Sequence, residues 1–110
     1  MTDTTMAIRN LNDRFRKGDR AVPGSWMITA GVQALIGDDA NKVLLISLVA
    51  NFSAFDGDND PHHEHDFGAF DFAGQRLFWK IDLYEEPIVN KPNEAPNVTR
   101  VLTIMLASEY

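Results

Sequence analysis

Residues 76 to 84 read Arg-Leu-Phe-Trp-Lys-Ile-Asp-Leu-Tyr and carry the strongest alternation in the chain. Apolar side chains at positions 77, 79, 81 and 83 recur with the period of a β-strand that buries one face. Trp79 and Phe78 fall on opposite faces of this predicted strand. One of the two aromatic rings therefore faces away from the main core, where it either anchors a partner protein or packs in a second, smaller core.

The residues before this strand predict its partner in a β-hairpin. Phe70 and Phe72 share one face of an extended segment, and Ala73-Gly74-Gln75 provides the turn. Further upstream, residues 25 to 30 predict a short strand that follows Pro23 and Gly24, two residues that interrupt regular secondary structure. The sheet is therefore expected to be a hairpin or a short antiparallel sheet.

Helical spacing of apolar residues predicts three helices before the hairpin. The first covers about residues 4 to 17, with Thr4 or Thr5 as its N-cap. The second is one turn over residues 32 to 36 that ends at Gly37. The third runs for about four turns from a cap at Asp38 or Asp39 as far as residue 55. Together these patterns predict an α+β fold, a small single domain over residues 1 to 110 with the sheet packed against about three helices.

The last segment of the chain is ambiguous between helix and strand. Apolar residues from position 98 to 106 fit helical spacing and Asn97 is a suitable N-cap, so a C-terminal helix over residues 98 to 108 is the preferred prediction. Four β-branched residues between Val98 and Thr103 favour the alternative, a strand that pairs with the hairpin. Three prolines, Pro87, Pro92 and Pro96, predict an irregular connection before it.

Composition limits the function classes. The chain has 110 residues, no cysteine and a net charge of −6. One domain with one core is expected at this length, and thiol chemistry is excluded. The first residues carry no secretory signal, and the longest apolar run, residues 43 to 50, is too short to cross a bilayer, so a cytoplasmic protein is expected. Residues 21 to 110 hold five basic and thirteen acidic side chains, which argues against direct nucleic-acid binding.

Residues 56 to 66, Asp-Gly-Asp-Asn-Asp-Pro-His-His-Glu-His-Asp, gather all three histidines and five carboxylates. The aspartates begin like a calcium-binding loop, but Pro61 and Phe67 occupy the positions that need glycine and glutamate. Nitrogen and oxygen donors suited to a divalent metal remain. A small metal-binding protein or metal-dependent hydrolase is therefore the alternative function, and the candidate metal ligands are His62, Glu64, His65 and Asp66.

The same loop also allows acid–base chemistry or protein docking. His65 lies between Glu64 and Asp66 and would serve as a general base, but no nucleophile motif accompanies it, so a non-catalytic protein with a structural histidine is expected. Residues 56 to 86 hold nine acidic and two basic side chains, which favours a protein partner with a basic surface. Homodimerisation through the hairpin is left open. The candidate partner-binding residues are Asp56, Asp58, Asp60, Glu64, Asp66 and Phe78.

Three segments together resemble a known family. They are Asn-Asp-Pro-His-His-Glu-His-Asp-Phe-Gly-Ala-Phe at 59 to 70, Leu-Phe-Trp-Lys-Ile-Asp at 77 to 82, and Thr-Arg-Val-Leu-Thr-Ile-Met-Leu-Ala-Ser-Glu-Tyr at 99 to 110. The chain resembles an uncharacterised family of small bacterial proteins, a domain of unknown function that is often plasmid-encoded in proteobacteria. The resemblance implies no activity, and it places glycine where this chain has His63, which favours His62 and Glu64-His65-Asp66 as site residues. The plasmid context implies an accessory or anti-defence inhibitor from a mobile element.

Overall fold

The computed structural model describes residues 2 to 86 and 97 to 110. Most of the predicted proline-rich connection lies outside these residues. The elements in chain order are α1 (Asp3–Arg16), β1 (Gly24–Ile28), α2 (Ala30–Ile36), α3 (Asp39–Ala50), β2 (Phe67–Phe72), β3 (Gln75–Glu86) and β4 (Asn97–Leu106), followed by a 3-10 turn (Ala107–Glu109). This arrangement confirms the predicted α+β class. None of the helices in the described part of the chain is long and apolar enough to cross a membrane.

The four strands form one mixed sheet in the order β1-β4-β3-β2. The predicted hairpin of β2 and β3 is present, and β3 also pairs antiparallel with β4 along the whole length of β4. The sheet is larger than the predicted hairpin or short antiparallel sheet, and it is mixed because β1 joins its edge parallel to β4. Parallel neighbours require a long crossover, which the chain between β1 and β4 supplies.

The preferred prediction of a C-terminal helix over residues 98 to 108 was wrong, since residues 97 to 106 form strand β4. The alternative prediction, a strand that pairs with the hairpin, is confirmed. Arg100, Leu102 and Ile104 are buried at every second position, which is strand periodicity. The β-branched residues of this segment fit a pleated sheet better than a helix. Pairing with the full length of β3 then overrides the weak helical spacing.

Two helix boundaries differ from the prediction. Helix α1 is capped by Thr2, whose hydroxyl accepts a hydrogen bond from the amide of Thr5. Helix α3 starts at the expected cap, Asp38, but ends at Ala50 instead of continuing to residue 55. Phe52 and Phe55 leave the helix and pack edge-on against Trp79 at 5.5 and 6.0 Å between ring centroids. Contact with the core therefore outweighs the helical spacing.

The three helices pack on one face of the sheet, around Trp79, which is fully buried. Strand alternation assigns the core-facing side chains to this face and Phe78 to the other one. The core consists mainly of Phe15, Val32, Ile36, Leu45, Val49, Leu77, Trp79, Ile81, Leu102 and Ile104.

We expect Gly68→Ala to lower the free energy of unfolding by about 1–3 kcal/mol, because the added methyl group would overpack the core at this position. A Cβ atom at Gly68 would collide with the indole nitrogen of Trp79 and lie 2.9 Å from Phe52. Gly57→Ala is the matched control, since nothing lies within 4 Å of its Cβ position. Urea denaturation of both variants measures the difference. Equal stability of the two would show that Trp79 is not packed as described.

Candidate functional site

The acidic loop, residues 56 to 66, begins with a turn that is held by hydrogen bonds. Asp56 Oδ1 accepts hydrogen bonds from the amides of Asp58 and Asn59 at 2.9 and 3.0 Å. The Asn59 side-chain oxygen accepts a hydrogen bond from the Asp56 amide, and the Asn59 side-chain nitrogen donates to the carbonyl of Ala54. Aspartate and asparagine favour turns because their short side chains bond to nearby backbone amides. Most of the polar atoms at the start of the loop are therefore used within it.

Asp60 and His65 form the buried half of the loop. The side chain of Asp60 is buried, with the residue only 3% exposed, and its Oδ1 accepts the His65 amide at 3.1 Å. His65 Nδ1 lies 2.9 and 3.0 Å from the two carboxylate oxygens of Asp13, and Nε2 lies 3.6 Å from Asp60 Oδ2. A carboxylate only accepts hydrogen bonds, so Nδ1 donates to Asp13. The imidazole also stacks on Phe55, with 3.8 Å between ring centroids.

Arg16 continues this network into the helices. Its Nη1 donates to the carbonyls of Val49, Ala50 and Phe52 at 2.8 to 3.0 Å, and its Nη2 donates to Asp13 Oδ1 at 3.1 Å. The guanidinium carbon lies 5.4 Å from the ring centre of Phe55 and 5.1 Å from that of Trp79. Burial lowers the pKa of Arg16, while Asp13 opposes that shift. The cation therefore caps the C-terminus of α3, where helix carbonyls lack partners.

A second set of buried polar contacts joins α1 to the loop and to β4. The Asn12 side chain donates to the carbonyl of Glu64 at 3.0 Å and accepts from Arg100 Nε at 2.7 Å. Burial lowers the pKa of Arg100. Sequence reasoning missed Asn12, Asp13, Arg16 and Arg100, because each sits in a helix or strand whose apolar pattern explains its neighbours. Arg16 is one of five basic residues between positions 9 and 20, and basic residues in and after a helix are usually solvated, so composition did not single it out.

The candidate metal ligands are divided between buried and exposed positions. His65 faces Asp13 and Asp60, while His62 and His63 are exposed. Within residues 2 to 86 and 97 to 110, no group of three or more His, Asp or Glu side chains is placed to hold a metal ion. Metal binding by His62, Glu64, His65 and Asp66 therefore stays a prediction. His63 has φ +58°, a left-handed conformation that glycine adopts without strain. This backbone conformation explains why the resemblance implies glycine at this position.

The surroundings of Asp66 raise the pKa of its carboxyl group. Burial raises the pKa of this half-buried group, and the negative charges of Asp60 and Asp82 raise it further. A hydrogen bond from its own amide and the nearby His62 act in the opposite direction. Asp66 therefore connects the loop electrostatically to Asp82 on strand β3.

The second candidate site is the side of the sheet opposite the described helices α1, α2 and α3. Strand alternation assigns alternate residues of β1 to β4 to this side, which we call the open face. None of them belongs to the core cluster under the helices. Phe78 is half-buried there, 5.1 Å from Phe67 and 5.6 Å from Tyr110 between ring centroids. The prediction that Trp79 and Phe78 face opposite sides is confirmed. The open face comprises Met27, Phe67, Phe78, Lys80, Asp82, Tyr84, Val101, Thr103 and Met105.

Comparison with known proteins identifies a family but no activity. A protein-family model described as "Protein of unknown function (DUF3768)" matches residues 28 to 109. The searches of curated proteins and of solved structures each gave no significant match. The site must therefore be interpreted from its own geometry.

We expect Arg16→Met to lower the free energy of unfolding by about 3 kcal/mol or more, since it removes the buried partner of Asp13 and of three carbonyls. Arg14→Met is the matched control two residues away, because the Arg14 side chain is half-exposed and pairs with Asp19 at the surface. That change should cost about 0.5 kcal/mol or less. Chemical denaturation compares the two, and similar losses would contradict the assigned role of Arg16.

Asp66→Asn should stabilise the protein at pH 7. The folded pKa of Asp66 is raised above its ordinary value of 3.8, so the ionised group costs stability above the folded pKa and costs nothing below the unfolded one. The gain from Asp66→Asn should therefore disappear as the pH falls through the folded pKa to below 3.8. Urea denaturation across this pH range measures the effect. Asp58→Asn removes the same charge at an exposed position of the loop, and an equal gain from it would contradict the burial of Asp66.

Proposed function

The chain belongs to this family of unknown function, and we propose that it is a non-catalytic interaction module that docks a basic protein surface on its open face. The observation that carries the proposal is the aromatic cluster of Phe67, Phe78 and Tyr110 on a sheet face that has no helix among the described residues. Aromatic side chains are the usual anchors of protein interfaces.

The exposure of the open face suits a binding surface better than a closed core. Met27 is 57% exposed and Tyr84 is 54% exposed, and both lie on this face. Lys80, Asp82 and Thr103 between them are each half-buried. A mixture of exposed apolar, aromatic and polar side chains is compatible with a non-obligate interface, which is about as apolar as the rest of a protein surface. Covering this surface would remove apolar area from water that folding leaves exposed.

Charge favours a basic partner. Residues 56 to 86 carry nine acidic and two basic side chains, and both basic ones already have partners. Arg76 pairs with Asp71 at 3.3 Å, and Lys80 pairs with Asp82 at 3.0 Å. Exposed carboxylates at Asp56 and Asp58 therefore keep their negative field for steering an incoming partner.

The proposed docking surface does not include all of the candidate partner-binding residues chosen from the sequence. Asp60 is buried against His65, so it supports the loop instead of contacting a partner. Glu64 is half-buried and its carbonyl accepts from Asn12. Asp56, Asp58, Asp66 and Phe78 stay in the proposed surface, and Tyr84 and Met27 join it.

Catalysis by the loop is less well supported than docking. His65 is largely buried, and both of its ring nitrogens lie against carboxylates. A general base needs a lone pair directed at a reacting proton, and Nε2, the ring nitrogen left after Asp13 takes Nδ1, lies 3.6 Å from the buried Asp60 Oδ2. The accessory or inhibitory role implied by the resemblance would follow if the docked partner were a defence protein, and it stays a prediction.

The proposal is tested with a matched pair of variants. Tagged wild-type chain, Tyr84→Lys and Leu44→Lys are used to capture partners, and each identified partner is then purified and titrated directly. Tyr84 and Leu44 are 54% and 50% exposed, but Leu44 lies on α3, away from the open face. We expect Tyr84→Lys to weaken binding at least about tenfold, Leu44→Lys to leave it unchanged, and added salt to weaken it in the wild type.

Two results would contradict the proposal. One is a directly titrated partner that binds wild type and Tyr84→Lys equally. The other is a partner whose affinity does not fall with salt, because a basic surface attracted by the acidic loop must respond to screening.

A further inference from the structure

Strand β2 lies at one edge of the sheet, and the backbone groups on its outer side have no hydrogen-bond partner among residues 2 to 86 and 97 to 110. The Ile81 amide donates to the Asp66 carbonyl at 2.8 Å, which fixes the bonded pairs between β2 and β3. In an antiparallel pair, every second residue of a strand directs its amide and its carbonyl away from the partner strand. The outward-directed residues of β2 are Phe67, Ala69 and Asp71.

The two edge strands of the sheet differ in how well they are protected from another strand. Natural edge strands carry lysine, proline or a bulge, or are covered by other parts of the chain. Strand β1 follows Pro23, and the carbonyl of its last residue, Ile28, accepts a hydrogen bond from the Gln33 side chain. Strand β2 pairs with β3 without a bulge over residues 67 to 72 and contains neither lysine nor proline. Its outer side is therefore open to an added strand.

The chemistry of the β2 edge specifies an extended backbone as its occupant. A row of alternating amides and carbonyls is satisfied along its length by another strand, whereas a helix has already used these groups internally. Strand alternation places the side chains of the outward-directed residues on the open face, where Phe67 and Ala69 are half-buried and Asp71 is exposed. An added strand would therefore extend the open face by one row of alternate side chains.

Charge favours a basic strand over a second copy of this chain. Strand β2 follows directly on the acidic loop, and residues 56 to 86 carry nine acidic and two basic side chains. If two β2 strands paired around a two-fold axis at Ala69, Asp71 of each copy would lie opposite Phe67 of the other copy. Asp66 directly precedes Phe67, so like charges would approach at both ends of that pairing. Lysine or arginine side chains on an incoming strand meet no such repulsion.

We propose that β2 binds an extended segment of a partner protein, rich in lysine or arginine, by strand addition, and that this segment extends the four-stranded sheet by one strand. The inference rests on the proposed function, because it takes the partner to be basic, and it adds how that partner is held. Backbone hydrogen bonds along the β2 edge supply affinity, and alternate side chains of the added strand supply specificity beside Phe67 on the open face.

A synthetic peptide of alternating lysine and valine, blocked at both ends, tests the site by nuclear magnetic resonance on isotope-labelled protein. We expect the amide signals of Phe67, Ala69 and Asp71 to shift and their solvent exchange to slow at up to about 1 mM peptide. The Trp26 amide is directed outward at the other edge and should not change. Glutamate in place of lysine should weaken binding at least about tenfold, and N-methylation of every peptide amide should abolish it.

A matched pair of variants tests the edge from the side of the protein. Ala69→Pro removes one outward amide and places a ring where the added strand would lie, but it removes no hydrogen bond to β3. Ala69→Val adds a side chain of similar size and keeps the amide. We expect Ala69→Pro to weaken peptide binding at least about tenfold and Ala69→Val to change it by about twofold or less. If circular dichroism shows that Ala69→Pro does not fold, the N-methylated peptide decides instead, since it leaves the protein unchanged.

Three results would overturn the proposal: edge amides that do not respond to the lysine peptide, equal binding of the lysine and glutamate peptides, or equal binding by folded Ala69→Pro and Ala69→Val. Protection of the same amides by raised protein concentration without peptide would identify a second copy as the occupant and would overturn it as well. Failure of the proposed function is distinguishable, because Tyr84→Lys changes the open face and Ala69→Pro changes the edge. An identified partner that responds to only one of these variants supports only the corresponding surface.

Discussion

The buried guanidinium of Arg16 is the interaction on which most of this structure depends. A cation in a protein core must be paired and hydrogen-bonded, and Arg16 meets most of this need through its two terminal nitrogens, which bond to Asp13 and to three carbonyls at the end of α3, while its Nε has no hydrogen-bond partner. Its guanidinium carbon lies over the rings of Phe55 and Trp79. One side chain therefore fixes where α3 ends, how the chain leaves it, and where the central tryptophan is covered.

The same pairing of Arg16 with Asp13 also holds the acidic loop in place. Asp13 is shared between Arg16 and His65, so the imidazole is held between α1 and Asp60. Composition alone concentrates possible chemistry in residues 56 to 66, but the fold uses the buried half of the loop for support. What remains exposed in the loop is its first half, with Asp56 and Asp58. This division is the reason why an interaction module is better supported than a hydrolase.

Local pattern was sufficient for much of the fold. The alternation through Trp79 located β3 and its buried face. Gly74 marked the hairpin turn, in which Ala73, the residue before it, has φ +51°. It was insufficient where partners are distant in sequence. Residues 98 to 106 fit both helix and strand spacing, and pairing with β3 decided between them. The alternation also placed Phe78 on the face opposite Trp79. By contrast, the polar contacts of the buried residues join positions up to 88 residues apart, which no local spacing encodes; these residues are Asn12, Asp13, Arg16 and Arg100.

The measurement that tests the central claim most directly is native-state hydrogen exchange at the amides of Asp60 and His65. In this structure the Asp60 amide donates to the carbonyl of Asp56 and the His65 amide donates to the buried Asp60 carboxylate. If the loop is a structural element held by Asp13 and Arg16, the His65 amide should be protected to nearly the same free energy as the amides of β3. Exchange of both amides within about tenfold of the rate for an unstructured peptide would contradict the account.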